Sequence, residues 1–292
     1  MNLDDSAEIL DVSSHTSPVW IPEPTSWAAQ PVRRIRHSTA TAPNGLVFIF
    51  GGVRADGSQI AFSDHSYFSS STMTFTPLPT SGAAPDLYGH ASVVLPDGRI
   101  LVFGGYSPSQ TRLVPLSTIW VLDTSTMQWS VVNTDTTPLP SPRMAFAAVY
   151  FGAGKVIIHG GSNSALQTNF ADGWMLDTSK NPWTWSQIDA LTQVGARRDH
   201  FAVALGAQVI FGFGGYPTFP LLFRFHHLFS RLSGQWTSIY HIADLRSILK
   251  ELGNYIQSLS DFNQPNPSWT LAVFYYPNDG SQLKPNSPTK RC

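Results

Sequence analysis

Cysteine is all but missing from this chain: the single one, Cys292, is the last of 292 residues. An intrachain disulfide, a Cys-based zinc site and a nucleophilic thiol in a shaped pocket are therefore not expected. Charge is also scarce. Only 13% of residues are charged, and 18 Lys and Arg balance 19 Asp and Glu, so the chain lacks a general electrostatic grip on nucleic acid or anionic lipid. No run reaches the ~18 consecutive apolar residues of a membrane helix, because the greasiest stretch, Tyr216 to Phe229, is broken by Arg224, His226 and His227. The N-terminus, Met1-Asn2-Leu3-Asp4-Asp5, is acidic where a secretory signal is basic, and no Asn-x-Ser/Thr sequon occurs without proline. The expectation is a cytoplasmic or nuclear chain with no membrane span and no nucleic-acid partner.

What the chain has in quantity is apolar and aromatic residues, 42% and 12%, punctuated by 22 Gly and 22 Pro. They recur in register. Apolar runs end in Gly-Gly four times, at Gly51-Gly52, Gly104-Gly105, Gly160-Gly161 and Gly214-Gly215. A common slot ahead of each pair holds His37, His90, Phe146 or His200, and three residues earlier stand Arg34, Leu87, Arg143 or Arg197. Downstream, Asp123 leads to Trp129 and Asp177 to Trp183. Four coincidences in one register define a repeat. The runs are β-branched or aromatic, and turn signals such as Pro43-Asn44-Gly45, Pro96-Asp97-Gly98 and Gly152-Ala153-Gly154 bound them, so each repeat reads as strands and tight turns.

This pattern resembles the kelch repeat, over about residues 9 to 240. The resemblance implies an all-β fold, a kelch β-propeller of four-stranded antiparallel blades, in which Gly-Gly closes the second strand and Trp wedges between blades. Trp129 and Trp183 are expected to be buried, and the inner strands to be the most apolar. The segment Ile9 to Trp20 reads as the second half of a repeat, and the run Trp269 to Tyr276 is the candidate for its missing inner strands. That gives about five blades. The fourth repeat loses its Asp and degrades after Gly215, and beyond Tyr240 the register disappears. Residues 1–240 are thus assigned to the propeller and 241–292 to a divergent C-terminal segment, with an amphipathic helix over 242–259 and a flexible tail.

Strand direction gathers Arg34, Arg36, Arg143, Arg197 and Arg198 on one face with the loops 53–63, 106–118 and 162–172. The functional reading makes these arginines contacts for a protein partner, because recognition residues collect on loops held by a rigid scaffold. The structural reading has the repeated Arg brace the blades. His37, His90 and His200 recur in a repeat slot, which points to a structural task, and Phe146 in the fourth slot speaks against a shared metal. His159 reads as a satisfied core histidine.

Gly152-Ala153-Gly154-Lys155 fails the phosphate-loop spacing, and Gly212-Phe213-Gly214-Gly215 lacks the helix that dinucleotide binding needs. The repeats also resemble the central domain of galactose oxidase, whose radical cofactor needs a Tyr–Cys cross-link that Cys292 is poorly placed to supply. The expected function is a non-catalytic, protein-binding scaffold without cofactor or metal. The alternatives are a degenerate galactose-oxidase-like or carbohydrate-active propeller enzyme, and a truncated propeller without stable function.

Overall fold

The computed structural model describes residues 9–11, 19–21, 28–135, 137–205, 207–215, 226–232 and 235–242. Each repeat folds into one four-stranded antiparallel sheet. Blade A is Ser38–Thr41, Val47–Phe50, His65–Ser69 and Thr74–Pro77, and blade B is Ala91–Val94, Arg99–Phe103, Thr118–Asp123 and Gln128–Asn133. Blade C is Ala147–Gly152, Lys155–His159, Gly173–Asp177 and Thr184–Gln187. Blade D is Arg198–Leu205, Gln208–Gly215, His226–Leu232 and Gln235–Ile242. Blade D is a complete sheet although its third strand lacks the repeated Asp, because antiparallel pairing needs only backbone partners.

Ile9–Asp11 pairs with Val19–Ile21 as a separate hairpin, matching the half-blade read at the N-terminus. The expected inner strands at Trp269 to Tyr276 lie outside the described residues, as does the expected helix beyond Ile242. Among the described residues the only helical element is a short 3-10 turn, Asp189–Val194, in the link from blade C to blade D.

First strands of successive blades lie side by side and form the inner wall. Second strands are read from both sides: in blade B, Ile100 and Val102 pack against blade A while Leu101 and Phe103 pack against blade C. Blade C repeats this, with Val156 and Ile158 toward B and Ile157 toward D. That two-sided burial explains why the second strands are continuously apolar. The first strands are less buried, although their alternate side chains also divide between neighbouring blades: Ala148 and Tyr150 pack, half-buried, against the core shared with blade B, and Val149 and Phe151 against the core shared with blade D.

The third-strand Asp organises a turn. Asp123 accepts from the N–H and hydroxyl of Ser125, Asp177 does the same for Ser179, and the adjoining Thr124 and Thr178 hydroxyls donate to the carbonyls of Gly98 and Gly154. The tryptophans need a correction. Trp129 pairs with Leu122 and is half-buried rather than buried, donating its indole N–H to the Pro79 carbonyl of blade A at 3.0 Å. Its counterpart in blade C is Trp185, paired with Leu176 and donating to the Leu116 carbonyl of blade B at 3.1 Å. Trp183 is buried as expected, but it ends a turn that is longer in blade C.

The glycine pairs set the distance between blades. The second glycine of the first three pairs donates its N–H to the next blade's carbonyl in the repeated Arg or Leu slot: Gly52 to Leu87 at 2.7 Å, Gly105 to Arg143 at 2.9 Å and Gly161 to Arg197 at 2.8 Å. The first glycine has no room for a side chain. A Cβ on Gly104 (φ +67°) would stand 2.6 Å from the Phe146 ring, and one on Gly160 (φ +66°) 2.5 Å from the Arg197 carbonyl oxygen. We expect Gly104→Ala to combine left-handed strain with this clash and to lower stability by about 2–4 kcal/mol in urea unfolding. Gly57→Ala, in an open loop with nothing within 4 Å of its Cβ, should cost only the backbone share.

Candidate functional site

Three loops stand on one face, each a small hairpin closed on the second glycine. The base residues Phe62, Val114 and Phe170 donate to the carbonyls of Gly52, Gly105 and Gly161 at 2.8, 2.9 and 2.8 Å. Asp86 stiffens the middle loop by accepting from Ser107 Oγ and from both the N–H and Oγ of Ser109. Asn163 does so for the third, accepting from the N–H groups of Gln167 and Thr168.

Inside these loops a backbone arc runs from blade A to blade D. Arg36, Gly89, Ala145 and Asp199 occupy one repeat position, and all four are left-handed, with φ of 54°, 63°, 57° and 54°. The N–H of Gly89 donates to the Arg36 carbonyl at 2.8 Å, Ala145 to Gly89 at 2.7 Å and Asp199 to Ala145 at 2.9 Å. Holding Arg, Ala and Asp in this conformation costs about 1–3 kcal/mol each, and the inter-blade hydrogen bonds over-determine it. The preceding residue bridges to the base of the same blade's loop: Ile35 to Val53, Tyr88 to Tyr106, Met144 to Ser162 and Arg198 to Gly215. In blade B both partners are tyrosines, half-buried with ring centroids 5.5 Å apart, and the Arg36 guanidinium lies 6.0 Å over the Tyr88 ring.

The five sequence-selected arginines divide. Arg34, Arg143 and Arg197 are buried. Arg143 donates to the Gly160 carbonyl at 3.0 Å, pairs with both carboxylate oxygens of Asp172 at 2.7 and 2.8 Å, and stacks 4.4 Å from the Phe170 ring. Arg34 repeats this with Gly51, Asp64 and Phe62, and Arg197 donates to the Val194 carbonyl. The Arg34 and Arg143 guanidinium groups thus hold the loop base to the second strand, the bracing role among the two readings. Arg36 and Arg198 are the partly exposed pair. Arg198 donates to the Leu166 carbonyl at 2.6 Å and to Asn169, and its Nε lies 3.5 Å from the Asp199 carboxylate.

Asp64 and Asp172 were not singled out from the sequence. The signal for them was a paired absence: in the repeat where Leu87 replaces Arg, the strand-register counterpart of Asp64 and Asp172 is Thr118, so both charges vanish together. Leu116 takes the place of Phe62 and Phe170 there, fully buried.

The repeated histidines sit at separate blade joints, with His90 Cε1 and His200 Cε1 against the first glycines of the preceding blades, Gly51 and Gly160. Among the described residues no group of three or more His, Cys, Asp or Glu is placed to hold a metal ion. His159, expected as a core histidine, is buried, and its Nε2–H donates to the Ala171 carbonyl at 3.1 Å. Its Nδ1 must then accept from His200 Nε2–H at 3.0 Å, which leaves the buried His200 Nδ1 without a hydrogen-bond partner among the described residues. Burial pushes all of these imidazoles down: His37 to about 4, His90 and His159 to about 3, and His65 and His200 in the same direction.

A family model described as the KLHDC2/KLHL20/DRC7 Kelch-repeats domain matches residues 6–215. The dynein alpha chain of the flagellar outer arm of Chlamydomonas reinhardtii is 27% identical over 168 residues, 56% of this chain and 4% of its own length. Adagio-like protein 3 of Oryza sativa subsp. japonica is 29% identical over 168 residues, 52% of this chain and 25% of that protein. An F-box/kelch-repeat protein of Arabidopsis thaliana is 25% identical over 191 residues, 63% of this chain and 39% of that protein. The chain thus spans well under half the length of these relatives. The solved structure of YjhT superposes with a TM-score of 0.62 at 18% identity, over 80% of this chain and 77% of that one, a likeness of fold alone.

Two expected outcomes follow from the braces and the histidines. Arg143→Ala, which strands Asp172 and the Gly160 carbonyl, should cost about 3–5 kcal/mol, whereas Arg143→Leu combined with Asp172→Thr, copying blade B, should cost less than either change alone in denaturant melts. Because the folded imidazoles titrate below the unfolded value of 6.5, the unfolded chain binds more protons in between. Stability is then full above pH 6.5 and falls as pH drops toward 4 and 3, by about 1.4 kcal/mol per unit for each such histidine. A urea midpoint unchanged between pH 7.5 and 5 would contradict this.

Proposed function

Since the chain belongs to the kelch-repeat family, we propose that it works as a non-catalytic scaffold that binds a protein partner on the three-hairpin face. The observation that carries this reading is the loop face itself: three loops locked to glycine carbonyls beside an arc of four left-handed residues joined by hydrogen bonds between blades. A scaffold fixed in this way offers a partner a surface whose ordering is already complete, which reduces the entropic cost of docking. Arg36 and Arg198 are the arginines proposed to touch the partner, with Arg34, Arg143 and Arg197 holding the loops in place for it. The face carries both signs, since Asp56, Asp86 and Asp199 accompany Arg36, Arg54, Arg112 and Arg198, so salt should weaken the association only modestly. The kelch-repeat relatives, an F-box/kelch-repeat protein among them, support an interaction role. Among the described residues no helix is long and apolar enough to cross a membrane.

The test is site-specific photo-crosslinking from the full chain. Probes at Gln59, Gln110 and Ala165, on the loops, should capture the partner, and probes at Asp97 and Ala153, in turns at the opposite ends of the strands, should not. Arg36→Ala with Arg198→Ala should reduce capture at least about tenfold, as expected when a hot-spot pair is truncated, in protein that a cooperative melting curve shows to be folded at the capture temperature. Capture from the opposite turns alone, or undiminished capture by the folded double variant, would refute the assignment.

A further inference from the structure

Two of the three joints between blades A, B, C and D are built around imidazoles, and one is not. In the second strand, the slot before the first glycine holds Phe50, Phe103 or His159, and the third-strand residue opposite it is His65, Ile119 or Gly173. The next blade answers with His90, Phe146 or His200, whose ring stands against that first glycine. The joint of blades A and B thus contains His65 and His90, and the joint of blades C and D contains His159 and His200. The joint of blades B and C has Phe103, Ile119 and Phe146 instead, all buried, with the two phenyl centroids 5.7 Å apart.

In both histidine joints a ring nitrogen serves as a hydrogen-bond acceptor. His65 donates Nε2–H to the Ala84 carbonyl at 3.0 Å, so its Nδ1 accepts the Gly51 N–H at 3.3 Å. His159 donates to Ala171 in the same way and accepts from His200 Nε2–H at 3.0 Å. The nitrogen that takes up a proton in acid is therefore one that already faces an N–H, and protonation forces two hydrogens into one contact. The charges around the rings, among the described residues, offer little relief. Arg34, His37 and Asp64 bear on the joint of A and B, where Asp64 is already paired with Arg34 at 2.8 Å. Arg143, Arg197 and Asp172 bear on the joint of C and D, where Arg143 and the Trp174 indole N–H already hold the Asp172 carboxylate. The other rings in contact, Phe50, Trp129 and Phe211, are uncharged.

A closed joint keeps these imidazoles neutral, whereas an open one places them in water, where they bind protons at a pKa of about 6.5. Below that value each further pH unit favours the open joint about tenfold for every histidine released. The joint of B and C releases none. We propose that mild acid loosens the joints of A with B and of C with D while blades B and C stay docked, so that the fold contains two acid-sensitive seams beside one that is indifferent to acid. The loop hairpins close on the same glycines that hold these joints, so the loop face loses its fixed spacing at two seams and keeps it at the third.

Amide hydrogen exchange on the full chain, read residue by residue at pH 7.5 and 5 and corrected for the intrinsic pH dependence, tests this. Each joint has two reporter amides: Gly52 and Gly89 for A with B, Gly105 and Ala145 for B with C, and Gly161 and Asp199 for C with D. At pH 5, protection should fall by up to about a thousandfold at Gly161 and Asp199, the product of two histidines each about 1.5 units below 6.5. Gly52 and Gly89 should fall in the same direction, and Gly105 and Ala145 should stay protected. His159→Phe with His200→Phe, which copies Phe103 and Phe146, should abolish the loss at Gly161 and Asp199 and leave the loss at Gly52 and Gly89. The reverse exchange, Phe103→His with Phe146→His, should make Gly105 and Ala145 acid-labile and serves equally if the first variant fails to fold. Equal loss at all six amides would mean global acid unfolding and would overturn the proposal. So would undiminished protection of Gly52 and Gly161 in wild type at pH 5, or acid loss at Gly161 that persists in the folded Phe variant.

Discussion

The whole arrangement depends on how closely one blade's backbone approaches the next. Three hydrogen bonds of 2.7 to 2.9 Å, from Gly52, Gly105 and Gly161 to the carbonyls of Leu87, Arg143 and Arg197, fix that approach. They form only because the preceding residue has no side chain, which is why Gly51, Gly104 and Gly160 stand where they do. Once the approach is fixed, the second strands are covered on both faces, and alternate residues are divided between two neighbouring cores.

The same glycines build the loop face. Their carbonyls close the three loop hairpins while their N–H groups hold the next blade, so loop geometry and blade spacing are set by one residue. Buried Arg34 and Arg143 reinforce this from beneath by joining the glycine carbonyl to an Asp at the loop base. The ion pair is one solution among two, for blade B reaches the same geometry with Leu87, Leu116 and Thr118. A buried ion pair and a well-packed apolar set can be near equal in free energy, so the exchange leaves the blade intact.

The fold was legible because a packing requirement repeated in every blade leaves a repeated residue. Four Gly-Gly pairs, the Asp-Thr turns and the apolar second strands gave the blade boundaries, and the sheet of blade D formed even where its Asp was missing. The repeated residues mark packing: Arg34, Arg143 and Arg197 recur and are buried, whereas the half-buried or exposed residues on the loop face differ from blade to blade: Arg36, Tyr88, Tyr106, Arg198 and Asp199. The tryptophan pattern misled. A fixed interval from Asp pointed to Trp183, but the longer turn in blade C moves the wedging role to Trp185.

By itself the sequence determined the all-β class, the four-stranded repeat and the face on which the loops stand, since each follows from period, turn chemistry and strand direction. Tertiary structure alone decided which charges are spent inside. Whether an arginine meets solvent or a carbonyl depends on residues about 30 positions away, such as Asp64 and Asp172, brought together by the third strand. It also decided that His159 accepts from His200, 41 positions away, because which side chains meet at a joint is fixed by the docking of two blades and not by spacing along the chain.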